Sequence, residues 1–343
     1  MRVSIDVGYG FTKALADNGG RQVFPSAVSL ARGTGDLAAA LGGAAQRHRM
    51  SVLVGHELPQ GYLVGSAALA AGATRSWAID GSGRDDYPLL VLAALASVGA
   101  EGPVDLALGL PLSVYLSRDE RRALRDRVTG LAARVSWDGH DARPVAVSSV
   151  KVLPQAAGAY YSALVGADGA RLAGQMVGIV DTGYHTTDYM LLSPGEGGLS
   201  VPDEARSGSL DAGMAQVIDA VRSYVSSQTG IPFVPPEGMV ETTMRNGGHL
   251  TARGRSLDLR PAYGETLQSL AGRVATELQR AWGDHLDYLA ALLVAGGGGA
   301  EIAPHLGLPG VRVVGDAMYA NAAGFLQMLG SASARAQSGF AAR

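Results

Sequence analysis

Apolar and polar positions along the 343 residues follow two rhythms. At the N-terminus Val3, Ile5 and Val7 recur at every second position, the period of a strand. Gly8 and Gly10 then suit a tight reversal, and residues 11–15 read as the return strand. "RQVFPSAVSLARG" predicts a further strand closed by a Gly-rich loop, and 36–49 is Ala-rich and helix-compatible, broken at Gly42 and Gly43. "SVLVGHELPQGYLVGSAAL" predicts two short strands about a turn at 59–61, then a helix. In "DDYPLLVLAALASVG" an apolar helix follows an acidic pair, as helix starts often do. "VDLALGLPL" is a buried strand by its continuous apolar run. "SRDERRALRDRVTG" predicts a charged surface helix with a Ser cap and a Gly stop, and "RPVAVSSVKVLPQAAGAYYSALV" a strand, a turn at Pro154 and a helix.

The second half repeats the alternation. "VDTGYHTTDYMLL" is again a hairpin, and "SGSLDAGMAQVIDAVRSYVSSQTG" a loop leading into a long helix. Pro232, Pro235 and Pro236 break the chain before a short helix in "EGMVETTMRNG", and "GETLQSLAGRVATELQRAWGDHLDYL" is a long amphipathic helix. "AALLVAGGGGAEIAPHL" reads as strand, glycine loop and helix, and "VRVVGDAMYANAAGFLQML" as strand, loop and terminal helix. Residues 331–343 are small and polar and read as a flexible tail. Strands alternating with helices in both halves predict an α/β fold with layered sheets.

The two hairpins are copies. At one common offset Asp6 meets Asp181, Gly8 meets Gly183, Tyr9 meets Tyr184 and Thr12 meets Thr187, while Lys13 meets Asp188. A repeat this long predicts two related halves, each opening with the same D-x-G-Y-x-x-T hairpin. Tips facing each other across a cleft offer backbone N–H groups to phosphates and two carboxylates to a hydrated metal; each tip alone is also simply a hairpin turn. The run Gly296, Gly297, Gly298, Gly299 removes every Cβ after a buried strand, so that a flat ring or a phosphate can touch the backbone, and Glu301 lies in the helix that follows. The same run also suits a plain flexible loop. It is not the dinucleotide fingerprint, which belongs after a first strand with an acid some 20 residues on.

Composition narrows the function classes. Apolar residues at 47% and charged residues at 17% exclude a disordered chain. A net charge of −3 excludes an overall electrostatic trap for nucleic acid, so strong direct DNA binding is not expected. The absence of cysteine excludes disulfides and thiolate metal sites and is compatible with the cytoplasm. Neither a secretory leader nor a membrane span is expected, because Met1 leads directly into strand-like residues and no apolar run reaches about 18 residues.

Together "IDVGYGFTK", "VLPQAAGAYYSAL", "VDTGYHTTD", "VAGGGGAEI" and "GDAMYANAAGFLQML" resemble, in the expected order, the first phosphate loop, first connecting segment, second phosphate loop, adenosine loop and second connecting segment of the actin/Hsp70/sugar-kinase ATPase superfamily. "FPSAV", "GLPL", "VETTMRNGG" and "YANAAGFL" are most similar to bacterial actin-like proteins of the ParM plasmid-segregation type. The resemblance implies an actin-like fold of two related domains, each a mixed sheet flanked by helices, with a nucleotide cleft between them. Domain I is expected over 1–155 plus 312–330, with a small insertion at about 30–80, and domain II over 156–311, with an insertion at about 230–265.

The same resemblance implies roles. Asp6 and Asp181 hold Mg²⁺ through its waters. Gly8, Tyr9, Gly10, Phe11, Thr12 and Lys13 of the first tip, and Thr182, Gly183 and Tyr184 of the second, line the phosphates of ATP, with GTP as the alternative. Gln155 orients the attacking water, and Asp188 backs the water or metal shell. Glu241 and Arg245 reach ribose or adenine, or form a surface pair one helical turn apart. Tyr184 and His185 depart from the small residues that relatives often carry at that tip. The implied activity is an ATPase that polymerises with itself and segregates DNA through a DNA-binding adaptor of ParR type. Alternatives are a sugar-type kinase of the same fold and a bacterial cytoskeletal actin. The absence of a cysteine cluster, of a peptide-binding domain after the last helix and of a bulky amphipathic terminal helix tells against sugar-kinase, chaperone and membrane-bound variants.

Overall fold

The computed structural model describes residues 1–31, 48–53, 58–73, 86–166, 169–195, 200–236 and 238–340, with 331–340 described through their backbone alone. The chain divides into two compact units, Met1–Ser162 with Asn321–Arg343, and Ala163–Ala320.

The first unit is built on a nine-stranded sheet in the order β3-β2-β1-β7-β9-β8-β5-β6-β4. Its strands are β1 (Arg2–Val7), β2 (Phe11–Ala16), β3 (Arg21–Pro25), β4 (Val28–Leu30), β5 (Arg49–Leu53), β6 (Gln60–Val64), β7 (Gly102–Leu110), β8 (Ala132–Trp137) and β9 (Arg143–Pro154). β1, β7 and β9 run parallel, the hairpins around them antiparallel. From Val3 to Val7 every residue of β1 is buried, polar Ser4 and Asp6 included, because helices cover both faces of the sheet. Leu106 and Leu108 face the core shared with the apolar helix Tyr87–Ser97, while Ala107 faces Phe325 and Leu329 of the last helix. Ser117 caps the charged helix Arg118–Val128 by accepting the Glu120 N–H. β5 pairs with β8 (Val52↔Val135), so the described part of the 30–80 stretch extends the main sheet. The helix expected over 36–49 lies largely outside the described residues, and Arg49 itself opens β5.

The second unit repeats the topology. Its five-stranded sheet has the order β12-β11-β10-β15-β16, from β10 (Val177–Thr182), β11 (Thr187–Pro194), β12 (Ser200–Leu210), β15 (Ala291–Ala295) and β16 (Val311–Val313). As with β1, β2 and β7, the first strand of the hairpin pairs antiparallel with its return and parallel with a later strand. The helices Met214–Thr229 and Arg260–Trp282 supply nearly half of the buried core that includes Trp282. A two-stranded ribbon of β13 (His249–Ala252) and β14 (Arg255–Asp258) follows the helix Met239–Arg245.

Three differences from the sequence reading have physical causes. "SGSL" belongs to β12: Gly208 sits opposite Tyr189, where a Cβ would lie 2.8 Å from the tyrosine hydroxyl, so the glycine that looked like a loop signal is a packing requirement. β16 pairs with β15 (Leu293↔Arg312), so the chain after 311 completes the second sheet and crosses back only at Asn321. The last helix runs to Phe340, past the expected start of a flexible tail, through a stretch rich in helix-favouring alanine. Among the described residues no helix is long and apolar enough to cross a membrane.

Candidate functional site

Asp6, the residue before the last of β1, has 2% of its surface exposed. In the ladder it stands opposite Lys13, whose Nζ donates to its Oδ2 at 2.9 Å. The other oxygen, Oδ1, accepts from Gln155 Nε2 at 2.5 Å. The structure thus brings together three residues that the sequence singled out separately. Gly109 on β7 leaves the room for this contact, since a Cβ there would lie 3.3 Å from Asp6 Oδ1 and 2.7 Å from the Phe325 ring.

The first tip is held from behind. The Gly8 N–H donates to the Phe11 carbonyl at 3.1 Å, closing the turn over Tyr9 and Gly10. Buried Ser26, just after β3, clamps it: its Oγ donates to the Gly8 carbonyl at 2.7 Å and its N–H to the Gly10 carbonyl at 3.0 Å. Thr12 Oγ1 lies 2.9 Å from Ser26 Oγ and is the donor there, because the one serine proton is already spent on Gly8. Sequence reasoning gave Ser26 no role; its signal was a small polar residue directly after a strand-ending proline.

The second tip is held differently. The Gly183 N–H donates to the Thr186 carbonyl at 2.8 Å, as in the first hairpin. The helix Met214–Thr229 then starts against the tip: the Met214 N–H donates to Gly183 and the Ala215 N–H to Tyr184. Those amides have no partner inside their own helix, so the tip satisfies them. Thr187 Oγ1 donates to the Ala212 carbonyl at 2.8 Å. The half-buried Tyr184 and His185 rings pack edge to face at 4.9 Å.

Where Asp6 faces a lysine, Asp181 faces Asp188. Residues directly opposite in an antiparallel ladder share a face, so two buried carboxylates project together, 8% and 3% exposed. Ser209 Oγ donates to Asp188 Oδ1. Among the described residues no group of three or more His, Cys, Asp or Glu gathers at metal-binding distance.

The glycine loop packs on this strand end. Gly296 has φ +87°, and a Cβ on it would collide with Asp181 Oδ1 and the Thr182 carbonyl. A Cβ on Gly298 would lie 2.5 Å from Met214, and the Gly298 N–H donates to Thr182. Gly299 is buried and leads into a single helical turn containing Glu301. Gly297 alone of the four is exposed, with open space around its missing Cβ. Gly296 and Gly298 are therefore explained by internal packing.

Glu241, Arg245 and Glu301 all act on one group. Burial, then the carboxylates of Glu301 and Glu241, push the Tyr263 hydroxyl well above its ordinary range, with Arg245 opposing. Tyr263 is 7% exposed, and the sequence reading missed it because it began the long helix at Gly264, whereas the helix starts at Arg260 and carries Tyr263 in its first turn. An apolar concavity of about 320 Å³, lined by Leu53, Pro103, Ala133 and Val145 among others, includes none of the candidate residues.

Comparisons with known proteins find matches along both halves of the chain. A model described as actin like proteins N terminal domain matches residues 4–158, and one described as archaeal actin homologue MreB-like, C-terminal, matches 179–307. An archaeal actin homolog of Thermoplasma acidophilum is 25% identical over 334 residues, 94% of this chain and 97% of that protein. Among solved structures, a 15-stranded ParM filament from Clostridium botulinum has a TM-score of 0.80 at 19% identity, covering 95% of this chain and 98% of that one. An archaeal actin homolog in complex with ADP has a TM-score of 0.73 at 19% identity, covering 96% and 99%.

Proposed function

The chain belongs to the actin-like superfamily, and on that premise we propose that it is an ATPase that assembles into nucleotide-dependent filaments of itself. The observation that carries this reading is one acid-bearing hairpin present in both units in the same register, Asp6 opposite Lys13 and Asp181 opposite Asp188. The Thermoplasma relative and the two solved structures support it: one is a filament, another holds ADP. ATP is the proposed nucleotide, with GTP as the alternative.

The residues divide the work by chemistry. Clamped by Ser26, the first tip presents a fixed backbone to phosphate oxygens. Lys13, already paired with Asp6, supplies positive charge beside it. The facing carboxylates of Asp181 and Asp188 fit a hydrated divalent cation, which prefers oxygen ligands and retains its waters. Asp6 fits it less well, since Lys13 already balances its charge. Mg²⁺ held there would neutralise phosphate charge. Gln155 has one N–H engaged by Asp6, which fixes its carboxamide so that it orients the attacking water without acting as a base. Glu241, Arg245 and Glu301 are the proposed adenosine contacts.

The proposed cargo is DNA, held through a DNA-binding adaptor of ParR type, in keeping with a net charge of −3. A cytoskeletal role without a partition adaptor is the second reading, favoured by the match to an archaeal actin homolog along nearly the whole chain. Titration calorimetry tests the nucleotide claim. Mg²⁺-dependent ATP binding that weakens in Asp181→Asn supports it, and no binding by the wild type at millimolar Mg²⁺ contradicts it. Tight, salt-sensitive binding of the isolated chain to random duplex DNA contradicts the adaptor.

A further inference from the structure

We infer that Asn321 is a positioning residue for Gln155: its side-chain oxygen holds the left-handed turn at Ala156 that directs Gln155 onto Asp6. The inference rests on the reading of Gln155 as the water-orienting residue.

Ala156 has φ +70°, a region that residues with a Cβ enter only at a cost, and its Cβ is fully buried. This turn separates β9 from the helix Ala157–Val165 and sends the Gln155 side chain back over the end of β1. Its conformation is held by three hydrogen bonds. The Gln155 N–H donates to the Leu110 carbonyl at 2.7 Å, and the Tyr160 N–H to the Ala156 carbonyl at 3.1 Å. The third is the Ala156 N–H, which donates to Asn321 Oδ1 at 3.0 Å. The same oxygen accepts the Ala159 N–H at 3.2 Å, so both its lone pairs are used on the start of one helix.

Asn321 is itself fixed. It is 5% exposed, and the helix that it opens lies backbone to backbone on the helix Ala157–Val165. A Cβ on Gly158 would lie 2.5 Å from the Asn321 carbonyl, and one on Gly324 would collide with the Gly158 carbonyl. The neighbouring Ala322 carbonyl accepts from Ser4 Oγ at 2.7 Å, on the strand that carries Asp6. Asn321 and Ala322 therefore anchor both ends of the Gln155–Asp6 contact: one holds the turn that carries the amide, the other the strand that carries the carboxylate. An ordinary helix cap needs only the Asn321 oxygen on the first helical amides. Here that oxygen also fixes the residue next to Gln155, in a conformation that alanine does not choose alone.

The test compares Asn321→Ala, which loses the acceptor, with Asn321→Asp, which keeps it. Single-turnover phosphate release is followed beside nucleotide affinity and melting temperature. The expected result is a loss of roughly tenfold to a hundredfold in turnover for Asn321→Ala at unchanged affinity, the scale of a misplaced reacting group, with recovery in Asn321→Asp. Wild-type turnover per folded molecule in Asn321→Ala, with only the melting temperature lowered, overturns the inference. If Asn321→Ala does not fold, Asn321→Ser, whose shorter side chain cannot span both amides, takes its place under the same two outcomes. A second readout separates this inference from the reading beneath it. The Gln155 side-chain amide resonance, assigned by its loss in Gln155→Ala, must move in the acceptor-loss variant and stay in Asn321→Asp. If the wild type hydrolyses nothing, the hydrolytic reading falls and this resonance still decides the positioning: movement upholds it, and an unmoved signal overturns it.

Discussion

Gln155 Nε2 lies 2.5 Å from Asp6 Oδ1, joining residues that are 149 positions apart in the chain. A buried carboxylate that takes both an ammonium and a carboxamide holds that carboxamide in one orientation. Gln155→Ala should therefore slow hydrolysis by about 10²-fold and leave nucleotide affinity nearly unchanged, because a water-positioning group acts in the transition state. Phosphate release measured beside calorimetry checks this. Unchanged release with a lowered melting temperature removes Gln155 from the catalytic residues.

Lys13 and Asp6 form a pair with side chains 13% and 2% exposed. Lys13→Met leaves a buried carboxylate without its cation and should cost about 3 kcal/mol of stability. Lys13→Met combined with Asp6→Asn removes the stranded charge and should recover most of the loss. Urea denaturation of the three variants measures it, and additive losses would contradict the pairing.

The glycine loop predicts a contrast between neighbours. Gly296→Ala places a Cβ against Asp181 and the Thr182 carbonyl in a left-handed backbone, and should destabilise by roughly 2 kcal/mol or more. Gly297→Ala meets open space and should change stability by no more than about 0.5 kcal/mol. Equal effects in thermal melts would contradict the packing.

Tyr189 donates to Glu277 Oε1 at 2.6 Å, and burial, followed by that hydrogen bond, pushes its hydroxyl up to about 12. A raised folded-state value means stability fully present below the unfolded value of 10.0 and lost as pH rises through about 12. Tyr189→Phe should lose less stability than the wild type across that window. Denaturant midpoints followed through it give the comparison, and parallel curves contradict it.

The repeated hairpin was legible because its signals are local: alternation, two small turn residues and an acid lie within one short segment. The helices at Tyr87–Ser97 and Arg118–Val128 were legible for the same reason, through apolar runs and caps. Ser26 and Asn321 were not, because their partners are set by the tertiary fold; Asn321 holds an amide 165 positions away. Its one signal was a polar residue between Ala320 and Ala322 at a helix start. Residues 207–209 read as loop by composition, yet pairing with β11 makes them strand, tertiary context overriding propensity. Gly296 and Gly298 pointed to a ligand by their missing Cβ atoms, and their close packing against Asp181, Thr182 and Met214 was not legible because those partners are set by the tertiary fold. Lys13 was expected beside phosphates, and its ladder partner Asp6 already holds it.

Electron microscopy of the purified chain, with Mg-ATP and without nucleotide, tests the central claim most directly. The account predicts filaments with Mg-ATP and dispersed particles without it. Dispersed particles in both, or filaments in both, would contradict nucleotide-dependent assembly.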